Sequence, residues 1–171
     1  MYANFNPVNF KLKDIIMNKN AAFADLDSLM DASMDDIDDL PPVGVPPTGH
    51  YNLLITASRE TAAAGNEYIK FSYEVEAVNE VKEQAEESQA AVGMKFNQIF
   101  SPFKKDGTIN EYGLGFLKEA CAPFAAHFGT TKMGDTIGQI DKISVAASLV
   151  RRKDKRDADR WNFSIKDVVI L

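Results

Sequence analysis

Cysteine is nearly missing from this chain. Cys121 stands alone, so no disulfide forms within it, and with His50 and His127 as the only histidines a four-ligand structural zinc site has no basis. Long apolar runs are missing as well. Nothing approaches the ~18 to 20 consecutive apolar residues that a membrane-spanning helix needs. The opening MYANFNPVNFKLKD has no basic region followed by an apolar core, so it does not read as a secretory leader. Together these absences lead us to expect a reducing, cytoplasmic setting. Gly-rich phosphate loops and a Gly-x-Ser-x-Gly elbow are also lacking, which removes the commonest nucleotide-hydrolase and esterase signatures.

What is present is 171 residues, enough for one domain with appendages, and an uneven charge. Residues 1–49 hold three lysines against eight aspartates, net −5, whereas residues 50–171 hold 16 basic and 17 acidic groups, net −1. The acidity is mostly an appendage. Within the body, residues 142–171 carry eight cations against four aspartates, net +4. A basic end on an acidic protein suggests an anionic partner.

The boundary reads at Leu40-Pro41-Pro42-Val43-Gly44-Val45-Pro46-Pro47-Thr48-Gly49, whose prolines and glycines stop a helix from running through. We therefore expect an arm and an acidic helix over 1–40, a linker over 41–49 and a folded domain over 50–171. Before the boundary, Phe23, Leu26, Met30, Met34 and Ile37 recur at helical steps among aspartates. That stripe has the spacing of a partner-binding helix, and seven aspartates from Asp25 to Asp39 would compete with an anion for the basic end. Val8, Phe10 and Leu12 suggest an arm strand.

From His50 onward a period of two dominates. Tyr51, Leu53, Ile55 and Ala57 alternate with polar neighbours, and Ile69, Phe71, Tyr73, Val75 and Ala77 do so again after a turn at Ala64-Gly65-Asn66. A third strand is expected over Gly93–Phe100. Thr108 and Glu111 form a capping box for a helix carrying Leu114, Leu117, Cys121, Phe124 and Phe128, with a kink expected at Pro123. A fourth strand carries Ile143, Val145, Ala147 and Leu149, and a basic loop from Arg151 to Arg160 leads to a fifth beginning at Trp161. Three strands, a helix and two strands is the order of an OB-fold, a mainly β five-stranded Greek-key barrel, whose ligand face is the outside of strands two and three between the loops joining strands one to two and four to five.

The element order, the segment GHYNLLITASRE, the second strand NEYIKFSYEVE and the hairpin RRKDKRDADRWNFSIKD resemble phage-encoded OB-fold single-stranded DNA-binding proteins over residues 47–171. The resemblance implies a DNA-coating role in phage replication or recombination, in the host cytoplasm and without cofactor. Proteins of that type carry an acidic tail at the C-terminus, whereas here the acidic segment precedes the domain.

The residues themselves point the same way. Arg151, Arg152, Lys153, Lys155, Arg156 and Arg160 form the densest cationic cluster, suited to phosphates. Tyr68 and Lys70 share the polar face of strand two, and Lys95 opens strand three, while Phe100, Phe103, Lys104 and Lys105 interleave aromatics with cations as a sequence-tolerant binder requires. Trp161 has two readings, stacking on a base or sealing the barrel end. Phe103 has two as well, since it also fits beneath the helix. Phe71, Tyr73, Phe96 and Phe163 lie on apolar parity and are expected in the core. No metal site is expected, because Asp31-Ala32-Ser33-Met34-Asp35 lacks the ligands and glycine of a calcium loop. Cys121 and His127 have no legible catalytic partner and read as buried structural residues, so the chain is expected not to be an enzyme. Two other functions fit the same residues: an interaction module that docks a host or phage partner through the acidic helix, or a virion component.

Overall fold

Alternation sets the frame. In a computed structural model describing residues 44–83, 90–157 and 160–171, five strands form one antiparallel sheet: β1 (Gly49–Thr61), β2 (Glu67–Val81), β3 (Lys95–Phe100), β4 (Ile143–Lys153) and β5 (Trp161–Ile170). Two helices, α1 (Glu111–Phe128) and α2 (Met133–Gln139), lie between β3 and β4. The readings of an arm strand at Val8–Leu12 and a helix through Phe23, Leu26, Met30, Met34 and Ile37 lie outside the described residues.

The strand order is β3-β2-β1-β4-β5. β1 pairs with β2 along its whole length but with β4 only from Gly49 to Ile55. Beyond Ile55, α2 takes the place of β4, and the Ala57 amide donates to the Ile140 carbonyl at 2.8 Å. Register shifts at His50/Tyr51 and Asn52/Leu53 mark β-bulges, which add twist and let long strands curl. The two edges of the sheet approach each other through side chains: Phe96 of β3 meets Phe163 of β5 edge to face, with ring centroids 5.2 Å apart. No β3–β5 ladder joins them among the described residues, so the sheet is not closed by hydrogen bonds.

One face of the sheet is the core. Tyr51, Leu53, Ile55, Phe71, Tyr73, Val75, Phe96, Val145 and Leu149 are buried together with Leu117, Cys121 and Phe124 of α1. Burial pushes the Cys121 thiol up to about 11, so it stays protonated and inert at neutral pH.

Several sequence expectations change. α1 starts at Glu111, and its cap is Asn110, whose side chain accepts from the Gly113 amide. Thr108 is spent on the preceding turn, where its hydroxyl and amide both donate to Asp106. As the helical spacing predicted, α1 continues past Pro123 to Phe128, and its cap is Gly129, whose φ of 66° is the left-handed conformation that glycine favours. α2 has no counterpart in the sequence reading. It is short, and Gly134 and Gly138 disguise it, although Met133, Ile137 and Ile140 recur at helical spacing. Half of the expected linker belongs to the folded body: Val45 and Pro46 pack in, and the Tyr51 hydroxyl donates to the Pro47 carbonyl at 2.7 Å. Among the described residues no helix is long and apolar enough to cross a membrane.

Candidate nucleic-acid interface

The basic segment begins inside the sheet. Arg151, Arg152 and Lys153 belong to β4, paired with Phe163, Asn162 and Trp161 of β5. Arg151 shares parity with buried Val145, Ala147 and Leu149, and it is itself only 5% exposed. Its guanidinium donates twice to Glu83, at 3.0 and 2.9 Å, and once to the Val45 carbonyl at 3.0 Å. Arg151 is therefore a structural ion-pair partner, and its expected place among the phosphate-binding cations is corrected: its donors are turned inward.

Glu83 is held in return by the Thr48 hydroxyl and amide as well as by Arg151. Burial raises its carboxyl, but these hydrogen bonds prevail and keep it below the usual glutamate value. The cluster ties the segment before β1 to the end of β2 and to the base of the β4–β5 hairpin. Trp161 completes it, half-buried, with the Arg151 guanidinium 4.1 Å and the Lys153 ammonium 5.4 Å from its ring centroid. The sealing reading of Trp161 matches this position more closely than a free stacking platform does.

Arg152, Lys153, Lys155, Arg156 and Arg160 are exposed. Asp154 keeps its negative charge among them and also builds the turn: its carboxylate accepts from the Arg156 amide at 2.8 Å and from the Asn162 side chain at 2.9 Å. These bonds hold its carboxyl below the usual aspartate value. These cations thus flank a turn that Asp154 braces.

The expected strand face is different. Lys70 pairs with Glu60 at 3.4 Å, and Lys95 pairs with Glu74, its cross-strand neighbour, at 3.5 Å. The Tyr68 hydroxyl donates to Glu60 at 2.8 Å, a bond that lowers the Glu60 carboxyl and raises the Tyr68 phenol. These groups were expected to face DNA, yet each has a protein partner that only cross-strand register reveals. Phe100 is a correction too: it shares parity with Phe96, is buried, and packs edge to face on Phe71 at 5.3 Å. Phe103 is 51% exposed and bridges to Ile109, and Lys104 and Lys105 sit exposed on the small turn between them.

The sequence-predicted residues thus divide into two groups. Tyr68 and Phe103 line an apolar groove of about 570 Å³, together with Leu114, Met133 and Ile137. The hairpin cations lie elsewhere, since Gly49 pairs with Leu149 and β4 continues past the start of β1, while the β1–β2 turn is at the strand's other end. Beside the hairpin is a second cavity that the sequence did not announce. It measures about 540 Å³ and runs along the edge of β5 that has no strand partner among the described residues, where Asn162, Phe163, Ser164, Ile165 and Lys166 all line it with Gln98 and Phe100 of β3 and Phe116 of α1.

His50 bridges two strands, with Nδ1 3.0 Å from the Ser148 hydroxyl and Nε2 3.4 Å from Glu80. The three residues are direct cross-strand neighbours, and neither cavity includes them. His127, expected to be buried, is exposed with its ring edge-on to Phe128. Among the described residues no group of three His, Cys, Asp or Glu side chains is placed to hold a metal ion. Comparison with protein-family models, with curated proteins and with solved structures finds no match to this chain.

Proposed function

We propose that this chain binds single-stranded DNA with little sequence preference, as a non-enzymatic coating protein of phage replication or recombination in the host cytoplasm, and that its sheet is an OB-like barrel. The fold part of the reading is supported by the antiparallel order β3-β2-β1-β4-β5, the helical segment between β3 and β4, and the Phe96–Phe163 contact where the outer strands meet. One observation carries the functional part. The β4–β5 hairpin exposes Arg152, Lys153, Lys155, Arg156 and Arg160, five cations against Asp154, which braces the turn, and the exposed Asp157 among its described residues. Exposed cations clustered on one hairpin suit a flexible chain of phosphates, whose binding releases counterions and weakens as salt rises.

Trp161 is the chain's only tryptophan and lies at the base of this hairpin, so its fluorescence reports binding there. Titration of the full chain with oligo(dT) at two salt concentrations tests the reading. Saturable binding that weakens with salt supports it; no binding at low salt removes it.

A second reading has its own observation. The apolar groove beside Phe103 and Leu114 leaves these large side chains half open to water, as a protein-interaction surface does. Under that reading the chain is an interaction module or virion component, and the same titration shows no DNA binding.

A further inference from the structure

The cavity along β5 combines three kinds of group. Its inner side is aromatic, with Phe71, Tyr73 and Phe100 from the core, and Phe116 of α1 flanks it at 60% exposed. Its lip is basic: Arg152 and Lys166 line it against a single acid, Glu119. Gln98, Asn162 and Ser164 add amide and hydroxyl groups to the lining.

Gln98 is the informative one. It stands on the inward parity of β3 between buried Phe96 and Phe100, a place where a polar side chain needs a reason. Its amide oxygen accepts from the buried Tyr73 hydroxyl at 3.0 Å, which orients the side chain; its amide nitrogen has no hydrogen-bond partner within the protein among the described residues. Asn162 commits one amide hydrogen to Asp154 and so is anchored to the basic turn. Among the described residues β5 pairs only with β4, which leaves its other edge open toward the cavity.

We infer that this cavity receives one unstacked nucleobase of the bound strand, with the flanking phosphates on Arg152 and Lys166. This rests on the single-stranded DNA reading and goes beyond it by placing a base between the sheet edges, away from the outer face of β2 and β3. A planar base can stack on Phe116, the exposed aromatic of the lining, while Phe71, Tyr73 and Phe100 are buried, and the Gln98 amide nitrogen offers donors to a base carbonyl or ring nitrogen. Cations at the lip, continuous with the hairpin cluster, favour a nucleotide over a neutral apolar ligand. A contact of this kind discriminates DNA with bases from a bare phosphodiester, but discriminates poorly between bases, because every base has a π-face.

The test compares a labelled oligo(dT) with an abasic oligomer of equal length, using the full chain. The wild type is expected to bind oligo(dT) at least tenfold more tightly than the abasic strand. Ala120→Phe, which fills the cavity from α1, is expected to bring that ratio close to one while the salt slope stays, because the slope counts phosphates. Should Ala120→Phe fail to fold, Phe116→Ala alters an exposed side chain and is expected to reduce the ratio at least threefold. A wild-type ratio near one, or a ratio unchanged in a folded variant, overturns the inference while leaving DNA binding intact. Absence of binding to both oligomers overturns the DNA reading itself and this inference with it.

Discussion

Arg151 lies over the ring of Trp161, its guanidinium carbon 4.1 Å from the ring centroid, while the same guanidinium donates to Glu83 at 2.9 Å. One side chain thus joins the aromatic base of the basic hairpin to a carboxylate at the end of β2. The charge that looks most ready for DNA in the sequence is the one that builds the platform from which its neighbours project.

Removing Arg151 takes two donors from Glu83, which keeps those of Thr48, and takes the guanidinium donor from the Val45 carbonyl. Arg151→Ala is expected to cost about 1.5 to 3 kcal/mol in urea unfolding, the range for hydrogen bonds to a charged group, because the Glu83 side chain left behind is 29% exposed and keeps its Thr48 donors. Arg151→Lys is expected to rescue little, since an ammonium cannot make the paired donation and the stacking together. An alanine variant as stable as the wild type would show that the cluster is dispensable.

Acid should loosen the same cluster. Glu83 is held below its ordinary value of 4.5, so it contributes stability that is present above that pH and is lost as pH falls through the lower, folded-state value. The melting temperature of the wild type is expected to drop below about pH 5, and Glu83→Gln, less stable at neutral pH, to drop less steeply. Parallel melting curves for the two proteins from neutral to acid pH would assign the acid transition to other carboxylates, Glu60, Asp106 and Asp154 being the other described carboxylates held low.

The exposed cations behave oppositely. Replacing Arg152, Lys155, Arg156 and Arg160 together with alanine is expected to leave the melting temperature nearly unchanged and to weaken single-strand binding. The slope of log affinity against log salt should flatten by about 0.7 for each phosphate that is no longer neutralised. If the slope is the same in the variant and the wild type, the hairpin is not part of the interface.

Much of this architecture is legible because a strand facing a core on one side must alternate. Tyr51, Leu53 and Ile55, then Phe71, Tyr73 and Val75, announce β1 and β2 and their buried face, and the same rule puts Phe100 and Arg151 inside. What alternation does not provide is register. That Lys95 stands opposite Glu74, or that Glu83 waits for Arg151 68 positions along the chain, depends on turns and bulges that local pattern leaves open. The cavity between β3 and β5 escapes for a similar reason, since it is made by two strands distant in sequence that approach without pairing. α2 escapes because seven residues with two glycines carry little helical signal.

Gly113 and Gly115 of α1 make a test of the helix start, because the two positions predict opposite signs. A glycine inside a helix ordinarily costs about 1 kcal/mol relative to alanine. At Gly115 a Cβ meets nothing within 4 Å, so Gly115→Ala is expected to stabilise by about that amount. Gly113 donates its amide to Asn110 at 3.2 Å, and the Asn110 side chain in turn donates to the Ser101 carbonyl at 2.9 Å. A Cβ at Gly113 would run into the Ser101 carbonyl oxygen and the Asn110 amide, both fixed by the cap itself. No rotamer relieves a Cβ, so the backbone has to move and the cap opens. Gly113→Ala is therefore expected to destabilise by about 1 to 3 kcal/mol despite alanine's better helix propensity. Asn110→Ala should lose about 1 kcal/mol through the cap alone. Urea unfolding of the three variants reads the signs directly, and a stabilised Gly113→Ala would move the start of α1 away from Asn110.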